Sequence, residues 1–394
     1  MQKAMTAIVV LADLVHFRSF RFAAFALLGL AATAGFASAQ GEAALPQRTG
    51  RQIFLDTCAA CHAPDGKGHS RSRLGFDVTP PDFTDPDFAS REPHSDWVGI
   101  ARNGGPSRGF SEIMPSFRDA LTMEELAAAV TYIKSLHGDD RWPPGEFNLP
   151  RPFVTGKAYL EDEVVFQTAV TEDADGLGRL TGKIVYEQRF GARNMWEVVL
   201  PFGWSERVTD PLAPTTNWSA NLGDAALAVK RNLHHDIGRG SILSAAAELI
   251  LPTGDRASGI GKGTFVFEPF LTYGQLLPAD FFLQAQAGLE LPFQRSKAEN
   301  EAFLRLAFGR SINFKPWGRT WSPMVELLTA KELVSGEKVV LDIVPQVQVT
   351  VNKRQHIFFN VGVRLPLNRT AGRSPTVMAY LIWDWFDGAF FAGW

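Results

Sequence analysis

Residues 281–291 read FFLQAQAGLEL. Taken in steps of two, one face is Phe281, Leu283, Ala285, Ala287, Leu289 and Leu291, and the other is Phe282, Gln284, Gln286, Gly288 and Glu290. An extended chain sends successive side chains to opposite sides, so this stretch is a strand with one apolar and one wet face. The pattern recurs. In 342–351, Ile343, Pro345, Val347, Val349 and Val351 oppose Asp342, Val344, Gln346, Gln348 and Thr350. In 356–365, Ile357, Phe359, Val361, Val363 and Leu365 oppose Asn360, Gly362 and Arg364.

Strands of this kind suit a soluble sandwich or a membrane barrel with lipid outside and a wet lumen. Three features favour the barrel. The alternating runs reach about ten residues or more, long for soluble strands and right for crossing a bilayer. Aromatic residues gather at strand ends, as interfacial girdles do: Phe202 and Trp204, Phe281 and Phe282, Trp317 and Trp321, Trp383 and Trp385. The chain closes on Phe390, Phe391 and Trp394, near the aromatic ending common in outer-membrane barrels. Leu-Pro pairs at 200–201, 251–252, 291–292 and 365–366 each close a strand and open a polar loop, while tight turns occupy other strand ends. Counting runs gives an all-β antiparallel outer-membrane barrel of about 12 strands over 158–394. Asp224, Lys230, Glu268, Arg305 and Arg364 are candidate lumen residues, and a solvated rim or wall explains each equally well. His234, His235 and Asp236 form the one metal-like cluster of this region and read as a solvated turn.

Upstream the character changes. Residues 138–157, GDDRWPPGEFNLPRPFVTGK, are Pro-rich and aperiodic and read as a linker. Residues 40–137 read as an all-α domain of short helices joined by Gly- and Pro-rich loops. It contains both cysteines of the chain, in Cys58-Ala59-Ala60-Cys61-His62. C-x-x-C-H is the signature of c-type haem attachment. Two thiols about one helical turn apart reach the two vinyl groups of one porphyrin, and the following His projects an imidazole onto the iron. A redox C-x-x-C needs no His, and no βαβ pattern surrounds this one. The expected cofactor is one covalent haem c. Met114 is the expected sixth ligand, because Pro115 biases it toward an extended backbone suited to a loop over a haem face. Met123, His69 and His94 are the alternatives. Thr122 and Glu125 form a capping box opening a helix, on which Leu126, Val130, Ile133 and His137 share a face.

Residues 1–39 read as a signal peptide. Arg18 and Arg21 precede the apolar run Phe22 to Phe36, and Ala37-Ser38-Ala39 supplies a cleavage site before Gln40. The net charge of the 394 residues is −3, which provides no basic field for nucleic acid.

GRQIFLDTCAACHAPDGKG, PPDFTDPDF, WVGIARNGG, IMPSF and LTMEELAAAVTYIKSLHG together resemble a single-haem class I cytochrome c. That resemblance implies that Cys58, Cys61, His62 and Met114 carry the haem functions, His62 and Met114 as axial iron ligands. GDAALAVKRNL (223–233) and LILPTGDRASGIGKG (249–263) resemble the outer-membrane barrel family named for the meta pathway of phenol degradation. The whole chain resembles fused cytochrome–porins, some of which are implicated in extracellular iron oxidation. The combination implies electron transfer between periplasmic carriers and a donor or acceptor at or beyond the outer membrane. An iron-oxidase-like activity is among its outcomes, and a solute porin with a tethered redox carrier or gate is the alternative. The expected partners are periplasmic electron carriers, outer-membrane lipid and an extracellular donor or acceptor. The helical domain is expected on the periplasmic side, docked at the barrel mouth because a lumen of about twelve strands is too narrow to hold it.

Overall fold

The computed structural model describes residues 48–172, 176–208, 216–256 and 259–385. The segment read as a signal peptide, with its expected cleavage site, and Phe390, Phe391 and Trp394 lie outside the described residues.

The helical domain comes first. Helix α1 (Gly50–Ile53) runs through a π turn, Phe54–Cys58, into α2 (Ala59–His62). Short helices α3 (Arg71–Leu74) and α4 (Pro86–Ala89) precede α5 (His94–Asn103), and α6 (Met123–Ser135) closes the domain. Capping boxes start α1 and α6. At α6 the Glu125 N–H donates to Thr122 Oγ1 at 3.2 Å, and Glu125 Oε2 accepts from the Thr122 N–H at 3.0 Å. The face of α6 carrying Leu126, Ala129, Val130 and Ile133 is buried against Ile53, Phe54 and Val98.

Fourteen strands follow: β1 (Glu163–Glu172), β2 (Gly178–Phe190), β3 (Asn194–Val208), β4 (Thr216–Leu222), β5 (Ala226–Asp236), β6 (Ser241–Ile250), β7 (Val266–Leu276), β8 (Phe281–Pro292), β9 (Glu301–Arg310), β10 (Ile312–Asn313), β11 (Thr320–Glu332), β12 (Val340–Thr350), β13 (Ile357–Pro366) and β14 (Thr376–Asp384). Both β4 and β5 pair with β3, and both β9 and β10 pair with β11, so each couple is one interrupted strand. With β1 paired to β14, the result is a closed antiparallel barrel of 12 strands. Closure leaves no unpaired edge, the condition for a sheet to cross a bilayer. No helix among the described residues is long and apolar enough to cross a membrane.

The alternation is inside out relative to a soluble protein. Gln284, Gln286, Glu326, Gln346 and Asn360 are buried in the lumen, while Phe166, Leu271 and Leu381 stand 46%, 50% and 47% exposed on the outer wall. That outward apolar band is the surface of an outer-membrane barrel. Not every end aromatic belongs to it. Phe282 shares its parity with Gln284, so it turns inward onto Leu149 and Met324. Trp385 is buried beside Tyr186.

The two rims differ. One carries the tight connections 191–193, 237–240 and 351–356 together with the start of β1 and the end of β14. The other carries the longer connections 293–300, 333–339 and 367–375 and the stretch from Ile250 to Val266. Outer-membrane barrels keep short turns in the periplasm and long loops outside.

The segment between the domains is more than a strap. Phe147, Leu149, Phe153, Thr155, Lys157, Ala158, Tyr159 and Leu160 are all buried. Residues 145–162 enter the barrel from the short-turn rim, reach the level of Glu326 and return to start β1. The barrel wall supplies their missing partners. Glu326 accepts from the backbone N–H groups of Phe153, Val154 and Thr155 at 2.8, 3.1 and 2.6 Å. Gln286 Oε1 accepts from the Gly156 N–H at 2.9 Å, and Ser244 Oγ donates to the Ala158 carbonyl at 2.6 Å. An irregular backbone inside a membrane barrel has to be satisfied by protein groups, and these lumen residues do so.

Candidate haem site

Cys58, Cys61 and His62 line one side of an apolar cavity of about 320 Å³, and Met114 lines it from another segment. Phe83, Trp97, Ile100, Phe117, Val130 and Ile133 complete much of its wall. The π turn ends on Cys58, so the motif starts there and continues through α2 to His62. His62 stacks on Phe83 at 4.6 Å between ring centroids. Burial pushes its imidazole down to about 4, so the ring is neutral and keeps a lone pair for a metal. Its Nδ1 is buried with no hydrogen-bond partner among the described residues. Burial pushes the Cys58 thiol up, opposed by the hydrogen bond with Thr57. A buried imidazole whose Nδ1 has no partner among the described residues, two free thiols and a methionine around one apolar cavity fit a c-type haem as a donor set.

The Met114 loop is held by backbone. The Gly105 N–H donates to the Met114 carbonyl at 3.0 Å, the Met114 N–H to Ser111 O at 3.2 Å, and the Phe117 N–H to Ala101 O at 3.1 Å. A Cβ on Gly105 would stand 2.3 Å from the Ser111 carbonyl oxygen, so only glycine lets the loop close this tightly. The alternative ligands sit elsewhere. His94 Nε2 is 3.1 Å from both the Ala127 carbonyl and Thr131 Oγ1, and Met123 is 41% exposed in the first turn of α6. Neither of them, nor His69, is among the cavity-lining residues.

The cavity abuts the short-turn rim of the barrel. Glu92 lines it, and the Glu92 carboxylate is 2.9 Å from Nε2 of the barrel residue His356. Arg354 lies over the Phe110 ring, 4.6 Å from its centroid, and donates to Gly109 O at 3.2 Å. Trp317 serves this seam rather than a lipid girdle. Arg102 lies 4.9 Å over its ring, and Arg108 donates to its carbonyl at 2.9 Å. A Cβ on Gly99 would come 2.1 Å from Trp317 Cδ1, so α5 presents glycine where the indole presses against it. Arg91 pairs with Asp162 at 3.0 Å, tying the domain to the returning plug.

Within the barrel, Lys230, Glu268 and Arg305 line a chamber of about 190 Å³ beside the plug, with Lys183, Glu187, Glu197 and Glu248. Arg364 lines a vestibule of about 700 Å³ toward the long-loop rim, with Arg179, Lys183, Arg305, Asp342 and Arg373. Asp224 caps backbone instead, accepting from the N–H groups of Gly254 and Lys262 at 2.8 and 2.6 Å. His235 joins Asn232 and the Asp140 carbonyl at the short-turn rim, at 2.9 and 3.0 Å. The structure also gathers Glu161, Glu163 and Asp384, which sequence reasoning missed. Their separation along the chain hides them, and only the pairing of the first strand with the last would reveal the cluster.

The family profile of cbb3-type cytochrome c oxidase subunit III matches residues 46–133. The profile described as "Putative MetA-pathway of phenol degradation" matches residues 162–374. No curated protein matches the chain. Among solved structures, the chain is similar to an outer membrane channel from Pseudomonas putida F1, with 12% identity, 60% of this chain and 99% of that chain covered, and a TM-score of 0.43. The beta domain of the Bordetella autotransporter BrkA gives 14% identity, 57% and 100% coverage and a TM-score of 0.36. The NanC porin gives 9% identity, 56% and 98% coverage and a TM-score of 0.38. With a cytochrome c domain ahead of its barrel and a match over more than half of its residues, the chain belongs to the MetA-pathway phenol-degradation family.

Proposed function

We propose that this protein transfers electrons between periplasmic carriers and a donor or acceptor at or beyond the outer membrane. In this reading it holds one haem c, covalently attached at Cys58 and Cys61, with His62 and Met114 as axial ligands. The haem supplies a reversible one-electron iron couple, whose potential a thioether ligand raises. The chain's own residues do the rest. Phe83, Trp97 and their neighbours exclude water, the Gly105 and Ser111 hydrogen bonds hold the Met114 backbone, and the rim contacts fix the domain against the barrel mouth. The domain boundaries proposed are 1–39 for a cleaved signal peptide, 40–137 for the cytochrome, 138–157 for the connecting segment and 158–394 for the barrel. The short turns and both ends of the barrel put the cytochrome on the periplasmic side in this reading.

The observation that carries the proposal is Glu92, which lines the haem cavity and also pairs with His356 of the barrel. A redox centre built into the barrel mouth is positioned to serve the membrane rather than to diffuse as a free carrier. The plug supports electron over solute transfer, because residues 145–162 occupy the lumen between the short-turn rim and the level of Glu326 and narrow it there. The large vestibule on the other side favours a second reading, a solute channel that opens when the plug leaves. Proteoliposomes of the holoprotein, treated with a membrane-impermeant reductant, distinguish the two. The haem α-band appears with reductant on the long-loop side if electrons cross, and only with reductant on the short-turn side if the barrel is an anchor or an independent pore. Protease access to the cytochrome domain reports orientation.

A further inference from the structure

We infer that the buried seam where the plug joins the first and last strands binds one hard divalent cation, held by Glu161, Glu163 and Asp384. These residues are 0%, 2% and 1% exposed, and one carboxylate oxygen from each lies within 4.8 Å of the others. Glu163 and Asp384 are direct partners across the β1–β14 pairing that closes the barrel. Like charges placed opposite each other in a sheet repel. Glu161, two residues earlier, adds a third.

The neighbouring cations do not neutralise this group. Lys157 pairs with Glu161. Arg151 is shared between Glu163 and Glu187. Asp384 has no ion-pair partner among the described residues, and its Oδ1 is buried with no hydrogen bond. Both Glu161 oxygens are likewise buried without a hydrogen bond, leaving the Lys157 ammonium as that carboxylate's partner. Buried charges are paired or bind metals. Among the described residues, the direct ion pairs of the three clustered carboxylates are with Lys157 and with Arg151, which is shared with Glu187. Arg189 and Lys230 act on Glu161 and Glu187 from farther off, so the cluster carries more negative charge than its direct partners offset, and a divalent cation would balance it.

The donor set selects the ion. It is all carboxylate oxygen, with neither thiolate nor imidazole, which suits calcium, manganese or magnesium over soft metals. The location gives the ion a role. The Asp384 N–H donates to the His356 carbonyl at 2.9 Å, and the Trp385 N–H to the Asp162 carbonyl at 3.2 Å. The His356 ring in turn meets Glu92 of the haem cavity. A cation here would bolt together the barrel closure, the returning plug and the rim under the cytochrome.

The test uses the full-length holoprotein in detergent, stripped with EDTA and dialysed. Calcium is titrated by calorimetry, and Mn²⁺ is added as an electron paramagnetic resonance probe. One ion per chain is expected, bound roughly tenfold or more weakly in Asp384→Asn and Glu161→Gln. Chelation should lower the unfolding temperature of the wild type by more than that of the variants. Should Asp384→Asn fail to assemble, Glu161→Gln, which lies outside the strands, and the wild-type titration still decide. Absence of a stoichiometric ion from the wild type, or undiminished binding by Glu161→Gln, would overturn the inference and leave shared protons as the neutralising device.

Discussion

The cytochrome domain and the barrel solve the same problem with opposite geometry. In the domain, Leu126 and Ile53 point inward while charges such as Arg48 and Asp56 stay at the surface. In the barrel, Leu271 and Phe166 point outward to lipid, while Glu326 and Lys230 are buried. Residues 145–162 obey both rules at once. Phe153 packs against Val165, Val344 and Tyr380, yet the backbone beside it leans on a lumen carboxylate. The difference teaches that burial alone does not classify a residue here. What matters is which solvent it is hidden from.

The largest effect expected from breaking that comparison is at the motif. Cys58→Ala combined with Cys61→Ala should abolish covalent haem, seen as loss of haem staining on a denaturing gel. The barrel should still assemble, because its strands close on one another without the domain, and its heat-modifiable mobility should be retained. Loss of the folded barrel in this variant would show that the two regions do not fold independently.

Next is the plug. Glu326→Ala removes the acceptor of three backbone N–H groups, the Thr155 hydroxyl at 2.7 Å and Gln346 Nε2 at 2.7 Å. Each buried donor left unpaired costs about 1–3 kcal/mol, so the plug should loosen by about 3 kcal/mol or more. Conductance in planar bilayers should rise, and protease should gain access to 145–157. Glu326→Gln keeps an acceptor and should do less. Unchanged conductance in Glu326→Ala would mean that the lumen is sealed by something other than these bonds.

On the lipid face, Leu271→Arg puts a charge into hydrocarbon and should cost about 2–4 kcal/mol near the midplane. Denaturant unfolding from liposomes measures it. The haem spectrum should not change, which separates the barrel's solvent from the domain's.

The two regions were unequally legible in the sequence. The C-x-x-C-H motif is read from five adjacent residues, because the proposed covalent attachment of a haem would fix their spacing chemically. The strands are legible because the period of two survives over whole bilayer crossings, and the expected count of about 12 agrees with the closed barrel of 12 strands. The plug was hidden. Its prolines and lack of period are what a linker looks like, and its backbone is satisfied by residues far away in sequence, such as Glu326 and Gln286. Trp317 was read as a girdle residue for a similar reason: an indole at a strand end looks the same whether its neighbour is lipid or a second domain. The Glu161, Glu163 and Asp384 cluster is legible only once the first strand is known to pair with the last.

The smallest effect sharpens the comparison at the seam itself, where neither solvent rule holds. Arg354 stacks on Phe110 and donates to Gly109 O, four and five residues before Met114 in the cytochrome loop. A cation over an aromatic ring contributes about 0.5–1 kcal/mol where water reaches it, and the added hydrogen bond about as much. Arg354→Ala should therefore weaken docking by about 1 kcal/mol without unfolding either region. Hydrogen exchange of 105–117 is the sensitive measure, because that loop holds Met114 through backbone bonds and opens locally at little cost. Exchange should quicken about fivefold there and stay constant in α6, whose capping box and buried face do not touch the rim. Equal acceleration in α6 would mean that the barrel stabilises the cytochrome as a whole, and that the seam is part of its core rather than a contact between finished domains.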